Sequence, residues 1–144
     1  FSRQNLPFQV RDAERLKQVA RGGYVLADAA SPQAIIIASG SEVSLAMAAH
    51  KLLADAGVAV RVVSMPSTSV FDRQEANYRE AVLPKGIKRV AVEAGVTDYW
   101  RKYVGIDGAV VGLDRFGESA PAGELFKFFG ITADAVAAAV KRVI

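Results

Sequence analysis

The side chains that could carry chemistry are few and far apart. Acyl or group transfer through a nucleophile needs a base beside a serine, threonine or cysteine. The chain has a single histidine, His50, and no cysteine, and no Gly-x-Ser-x-Gly elbow presents a serine. His50 falls within a stretch of helical periodicity and reads as a helix-surface residue at the edge of the apolar stripe, not as a base. Without cysteine there are no disulfides, thiolate nucleophiles or thiolate-bound zinc and iron–sulfur sites. H-E-x-x-H, EF-hand and D-x-D patterns are absent too, so no private metal site is expected.

Three constellations remain. Ser39-Gly40-Ser41-Glu42 follows an apolar run and opens a helical one, so its backbone N–H groups could hold an anion. Glu42 already supplies negative charge there and would repel a phosphate, so ordinary helix capping is the expected role. Glu93 closes another apolar run. A carboxyl in that position could serve as a base with a raised pKa, but a hydrogen-bonded or ion-paired interface residue is the favoured reading. Ligands of wound α/β sheets gather beyond the carboxyl ends of the strands, which would bring Ser39, Ser64 and Glu93 to one edge. Asp98, Tyr99 and Trp100 could form a stacking platform, although Tyr99, Trp100 and Tyr103 at helical spacing fit packing or a subunit interface better. Phe126, Phe128 and Phe129 read the same way.

The elements that must position these residues follow from periodicity. Residues 24–26 form a short edge strand, and 34–38, wholly apolar, a strand buried on both faces. Leu45, Ala49, Leu52, Leu53 and Ala56 mark a helix over 42–56, with Gly57 at the left-handed cap position. A second buried strand, numbered apart from the edge strand, covers 58–65 and stops at Pro66. One or two short helices fill 67–83 before Pro84, a third strand spans 89–93, a short aromatic helix 98–103, and a fourth strand 109–113. Pro121 lies near a helix start, with Ser119 or Ala120 as cap, leading into 124–129 and Gly130. Thr132 should cap the last helix, whose Val136, Val140, Val143 and Ile144 share one face while Lys141 and Arg142 complement its dipole. This alternation spells a mostly parallel sheet covered by helices.

The 144 residues suit one domain, and 51% hydrophobic with 23% charged residues can build one core. A net charge of +3, with basic residues scattered, argues against nucleic acid as a partner. No apolar run reaches the ~20 residues of a membrane span and no signal peptide is seen. A cytoplasmic protein is the expectation. The polar stretch over 1–21, containing Pro7 and lacking an initiating methionine, reads as a linker from a longer chain.

Eight stretches carry a family resemblance: SRQNLP (2–7), ARGGYVL (20–26), ASGSEVSLA (38–46), RVVSMPS (61–67), FDRQ (71–74), YREAVLP (78–84), VAVEAGVTDYW (90–100) and FGESAPAGELFKFFGIT (116–132). In order, and over nearly the whole chain, they resemble the C-terminal third of transketolases. The resemblance implies a three-layer α/β fold with about five strands, mostly parallel, and one antiparallel edge strand. It divides the chain into 1–21, a linker with the end of a preceding pyrimidine domain, and 22–144, the C-terminal domain. It implies a thiamine-diphosphate enzyme that uses Mg2+ (or Ca2+) to move a two-carbon ketol group from a ketose phosphate to an aldose phosphate. Cofactor and metal would lie at a homodimer interface formed by N-terminal and pyrimidine domains that this chain lacks, so the fragment should bind neither and be inactive alone.

One family site residue maps onto this sequence, Arg3, which would grip the sugar phosphate. A guanidinium suits that task through paired charge-assisted hydrogen bonds. Phe1 departs from the pattern, where a smaller aliphatic residue is expected. Two other readings stay open: a separate regulatory or nucleotide-binding module using the Gly40 turn, and a standalone subunit of a split transketolase.

Overall fold

The computed structural model describes residues 4–144. In chain order the elements are α1 (Ala13–Val19), β1 (Tyr24–Ala27), β2 (Ala34–Ala38), α2 (Val43–Asp55), β3 (Val60–Ser64), α3 (Thr68–Asp72), α4 (Ala76–Val82), β4 (Lys88–Val92), α5 (Arg101–Val104), β5 (Ala109–Val111), α6 (Ala122–Phe128) and α7 (Ala133–Val143). The strands form one sheet in the order β1-β3-β2-β4-β5. β2 lies parallel to β3 and β4, β4 parallel to β5, and only edge strand β1 runs antiparallel, against β3. This is the expected three-layer α/β arrangement.

All five residues of β2 are buried, as a continuous apolar run on a central strand requires. Alternate residues feed two cores. Ile36, Val62, Val90 and Val92 pack beneath α2 and α7, with Ala46, Leu53, Val136 and Val140. Ile35, Ile37, Val63 and Ala91 face the other layer, against Phe71, Val82, Trp100 and Tyr103. Gly57, at φ +76, takes the left-handed position after α2, and the Thr132 hydroxyl accepts from the Ala135 N–H at 3.2 Å to cap α7. Ile144 leaves the expected apolar stripe and is exposed, one residue beyond the end of its helix.

Several boundaries differ from the sequence reading. β3 and β5 are shorter than expected, because the backbone N–H of Val58 donates to the Leu53 carbonyl and that of Leu113 to the Gly95 carbonyl instead of to a neighbouring strand. Glu93 lies just past the end of β4. The aromatic helix starts as a tight 3₁₀ turn over Thr97–Trp100 before α5. α6 begins after Pro121, with no side-chain cap from Ser119 or Ala120.

The stretch read as linker contains helix α1, started by Asp12, whose Oδ1 accepts from the Arg15 N–H at 2.8 Å. It buries none of its residues. Its exit is fixed all the same: Arg21 lies over the Tyr78 ring, 3.3 Å from the centroid, and donates from Nε to Gln74 Oε1 at 3.1 Å, while Tyr78 donates to the Gly23 carbonyl at 2.9 Å. Gly22 has φ +85, and a Cβ there would strike the Ser67 carbonyl oxygen, so only glycine fits this junction.

Candidate functional site

Because β2, β3 and β4 run in parallel and in register, their carboxyl ends deliver Ser39, Met65 and Glu93 to one edge. The chain leaves β2 for β3 on one side and reaches β4 on the other, so the winding reverses at β2 and opens a crevice between its end and that of β4. The expected meeting of Ser39 and Glu93 occurs there: the serine hydroxyl donates to Glu93 Oε2 at 2.6 Å. Ser64, the third residue expected at this edge, is buried at the end of β3.

This geometry corrects the capping role expected of Ser39-Gly40-Ser41-Glu42. The segment forms a 3₁₀ turn, Gly40–Glu42, and neither Ser39 nor Glu42 makes a side-chain cap. Ser39 is engaged by Glu93 from 54 residues away. Ser41 donates to Glu42 Oε1 at 2.9 Å. Glu42 is only 3% exposed, a burial that its place in a first helical turn did not reveal.

Burial pushes the Glu42 carboxyl above its ordinary value, against the lowering effect of the Ser41 hydroxyl. Burial also raises Glu93; the Ser39 hydroxyl opposes this, and the negative charge of Glu42 adds to it. No lysine or arginine among the described residues pairs with either. Of the two readings of Glu93, the structure supports a hydrogen-bonded residue, within electrostatic reach of a second carboxyl.

Two clefts meet at Glu93. The larger, about 940 Å³, runs from Gln4 past Gly40, Glu42 and Glu93 to the loop at Ser119. The smaller, about 480 Å³, is lined by Ser39, Thr68, Glu93 and Tyr99. Their carboxyl-rich floor accepts hydrogen bonds or a positive group and disfavours phosphate, which weighs against a nucleotide at the Gly40 turn. The aromatic platform divides. Tyr99 is 58% exposed and its hydroxyl meets that of Thr68 at 2.5 Å, whereas Trp100 is 3% exposed and packs against Tyr103. Phe126 packs at the core edge, while exposed Phe128 meets Phe129 edge-on with Arg115 over both rings.

His50 is half-buried in α2, as expected of a residue at the edge of the stripe. Arg3 lies outside the described residues. The following residue, Gln4, lines the larger cleft. The described residues bring no three histidine, cysteine or carboxylate side chains together in a way that could hold a metal ion. With two carboxyls and no cation on the cleft floor, they fit neither a divalent metal's ligand set nor a diphosphate, and no cofactor step is assigned to them.

Residues 22–132 match the family model described as the transketolase-like TK C-terminal domain. The chain belongs to this family. Transketolase 1 of Escherichia coli K12 is 59% identical over 146 aligned residues, which take in all of this chain and 22% of that protein. The solved transketolase of Leishmania mexicana is 47% identical with TM-score 0.81, covering 89% of this chain and 19% of its own. A transketolase from Pichia stipitis is 41% identical with TM-score 0.82, again covering 89% and 19%. The chain therefore spans about a fifth of the length of these relatives. Among the described residues, no helix is long and apolar enough to cross a membrane.

Proposed function

We propose that this domain serves a thiamine-diphosphate-dependent transketolase that moves a two-carbon ketol unit from a ketose phosphate to an aldose phosphate, and that its own part is structural. The match over residues 22–132 carries the reading. Thiamine diphosphate and Mg2+ (or Ca2+) belong to the N-terminal and pyrimidine domains of a cytoplasmic homodimer. The present domain covers those neighbours, extends the dimer, and is inactive alone. Residues 1–21 link it to the pyrimidine domain, and 22–144 form the domain proper.

Its one direct contact with substrate is Arg3, which grips the sugar phosphate. The Pichia stipitis relative was solved in complex with sedoheptulose-7-phosphate, the substrate class the proposal requires.

Replacing Arg3 by alanine in the full-length enzyme should raise KM for phosphorylated substrates about ten- to a hundredfold, the weight of a lost charge-assisted contact. An unphosphorylated donor should be unaffected. Steady-state kinetics with both donors make the test, and an unchanged KM for the sugar phosphate would refute the assignment.

A further inference from the structure

The opposite end of the sheet carries a second site. Arg89, one residue into β4, has its guanidinium held by backbone carbonyls: Nη1 donates to Tyr103 at 2.9 Å, and Nη2 to Leu83 at 2.8 Å and Pro84 at 3.0 Å. Its Nε is buried without an acceptor, the one such side-chain atom among the described residues. No carboxylate among the described residues forms a salt bridge with it. Glu80, whose charge acts on Arg89 from nearby, uses Oε1 to accept from the Lys85 backbone N–H at 2.8 Å. Arginine cannot discharge by losing its proton, so the floor of this region keeps a fixed positive charge that Glu80 offsets only from a distance.

Two clefts of about 340 and 290 Å³ adjoin here and share Lys85, Arg89, Lys102 and Tyr103. Their walls hold five cationic side chains, Arg79, Lys85, Lys88, Arg89 and Lys102, against three carboxylates, Asp72, Glu80 and Asp107. Lys102 pairs with Asp72 at 2.6 Å and Lys88 with Asp107 at 3.1 Å. Arg79 and Lys85 are exposed, and their side chains engage no acceptor among the described residues. Two free cations thus flank a cleft whose floor is already positive, an arrangement that raises the local concentration of anions.

We propose that this cleft, at the amino ends of β4 and β5, binds a small phosphate dianion between Arg79 and Lys85, with Arg89 supplying the field beneath. Phosphate is favoured over a carboxylate because its double charge matches two unpaired cations and its several oxygens can meet both at once. The site lies at the far end of the strands from Glu42 and Glu93 and owes nothing to the proposed role of Arg3.

The test uses the 144-residue chain with inorganic phosphate and inorganic diphosphate, against sodium chloride at matched ionic strength. Diphosphate at about ten times its Kd should raise the melting midpoint by about 4 °C. Backbone amide NMR shifts should move saturably around Lys85 and Lys102. The double variant Arg79→Gln/Lys85→Gln, whose altered side chains have no contacts to lose, should keep its melting temperature and lose at least tenfold in affinity. Binding that survives the double variant, or an effect that sodium chloride reproduces, would overturn the proposal.

Discussion

At the carboxyl ends of β2 and β4, two glutamates each lean on a single serine hydroxyl, whereas at the amino end of β4 one arginine is clamped by three backbone carbonyls. None of these three groups is held by an ion pair among the described residues. A carboxyl can escape the cost of burial by taking up a proton, so a serine hydroxyl, with the residue's own backbone N–H in the case of Glu42, suffices and its pKa rises. A guanidinium has no such exit and needs fixed dipoles on its donors. The carboxyl end is therefore electrostatically adjustable, and the amino end is not.

The sharpest break in this contrast should come at Arg89. Arg89→Met strands the carbonyls of Leu83, Pro84 and Tyr103 and should cost about 3 kcal/mol in urea unfolding. A loss under 1 kcal/mol would mean that water replaces the guanidinium and the clamp is incidental.

A smaller effect, but one with a sign, belongs to the glutamates. Both titrate above their ordinary value of 4.5, so from there up to their folded values the native state holds more protons than the unfolded state. Stability from this source is present at low pH and falls as pH rises through that window. Relative to Glu42→Gln/Glu93→Gln, the unaltered chain should gain stability on moving from pH 7 towards pH 5. A difference that stays flat with pH would show that the two carboxyls are not strained when ionised.

The smallest change is Ser39→Ala, which removes one hydroxyl from Glu93 and should cost about 1 kcal/mol near pH 7. The loss should shrink at low pH, where Glu93 is neutral. Unfolding curves at the two pH values decide it.

What the sequence disclosed follows the range of its signals. The apolar run 34–38, the glycine at 57 and the threonine at 132 act on their immediate neighbours, and each stands where expected. Local rules give Ser39 a capping role because they see the helix it precedes; only the strand topology brings it to a glutamate 54 residues on. Arg89 passed unnoticed inside a strand, since its carbonyl partners come from a loop and a helix that only the folded chain brings near. Helix α1 did announce itself locally, by Asp12 three residues before Arg15 with Leu16 and Val19 at helical spacing. The surrounding polarity and Pro7 masked it, and the helix offers the core only the partly buried Val19, too short a stripe to stand out.

The alternation of β2 between two cores has an evolutionary corollary. Residues above the sheet and residues below it touch different neighbours, so the two layers can accumulate substitutions almost independently, each repacking without consulting the other. That freedom ends at Ala34–Ala38, where adjacent side chains answer to opposite layers. A backbone shift that accommodates a larger residue at Ile36 moves Ile35 and Ile37 as well. Together with β3 and β4, whose adjacent residues also face opposite layers, the strand is where two otherwise separate mutational histories become one.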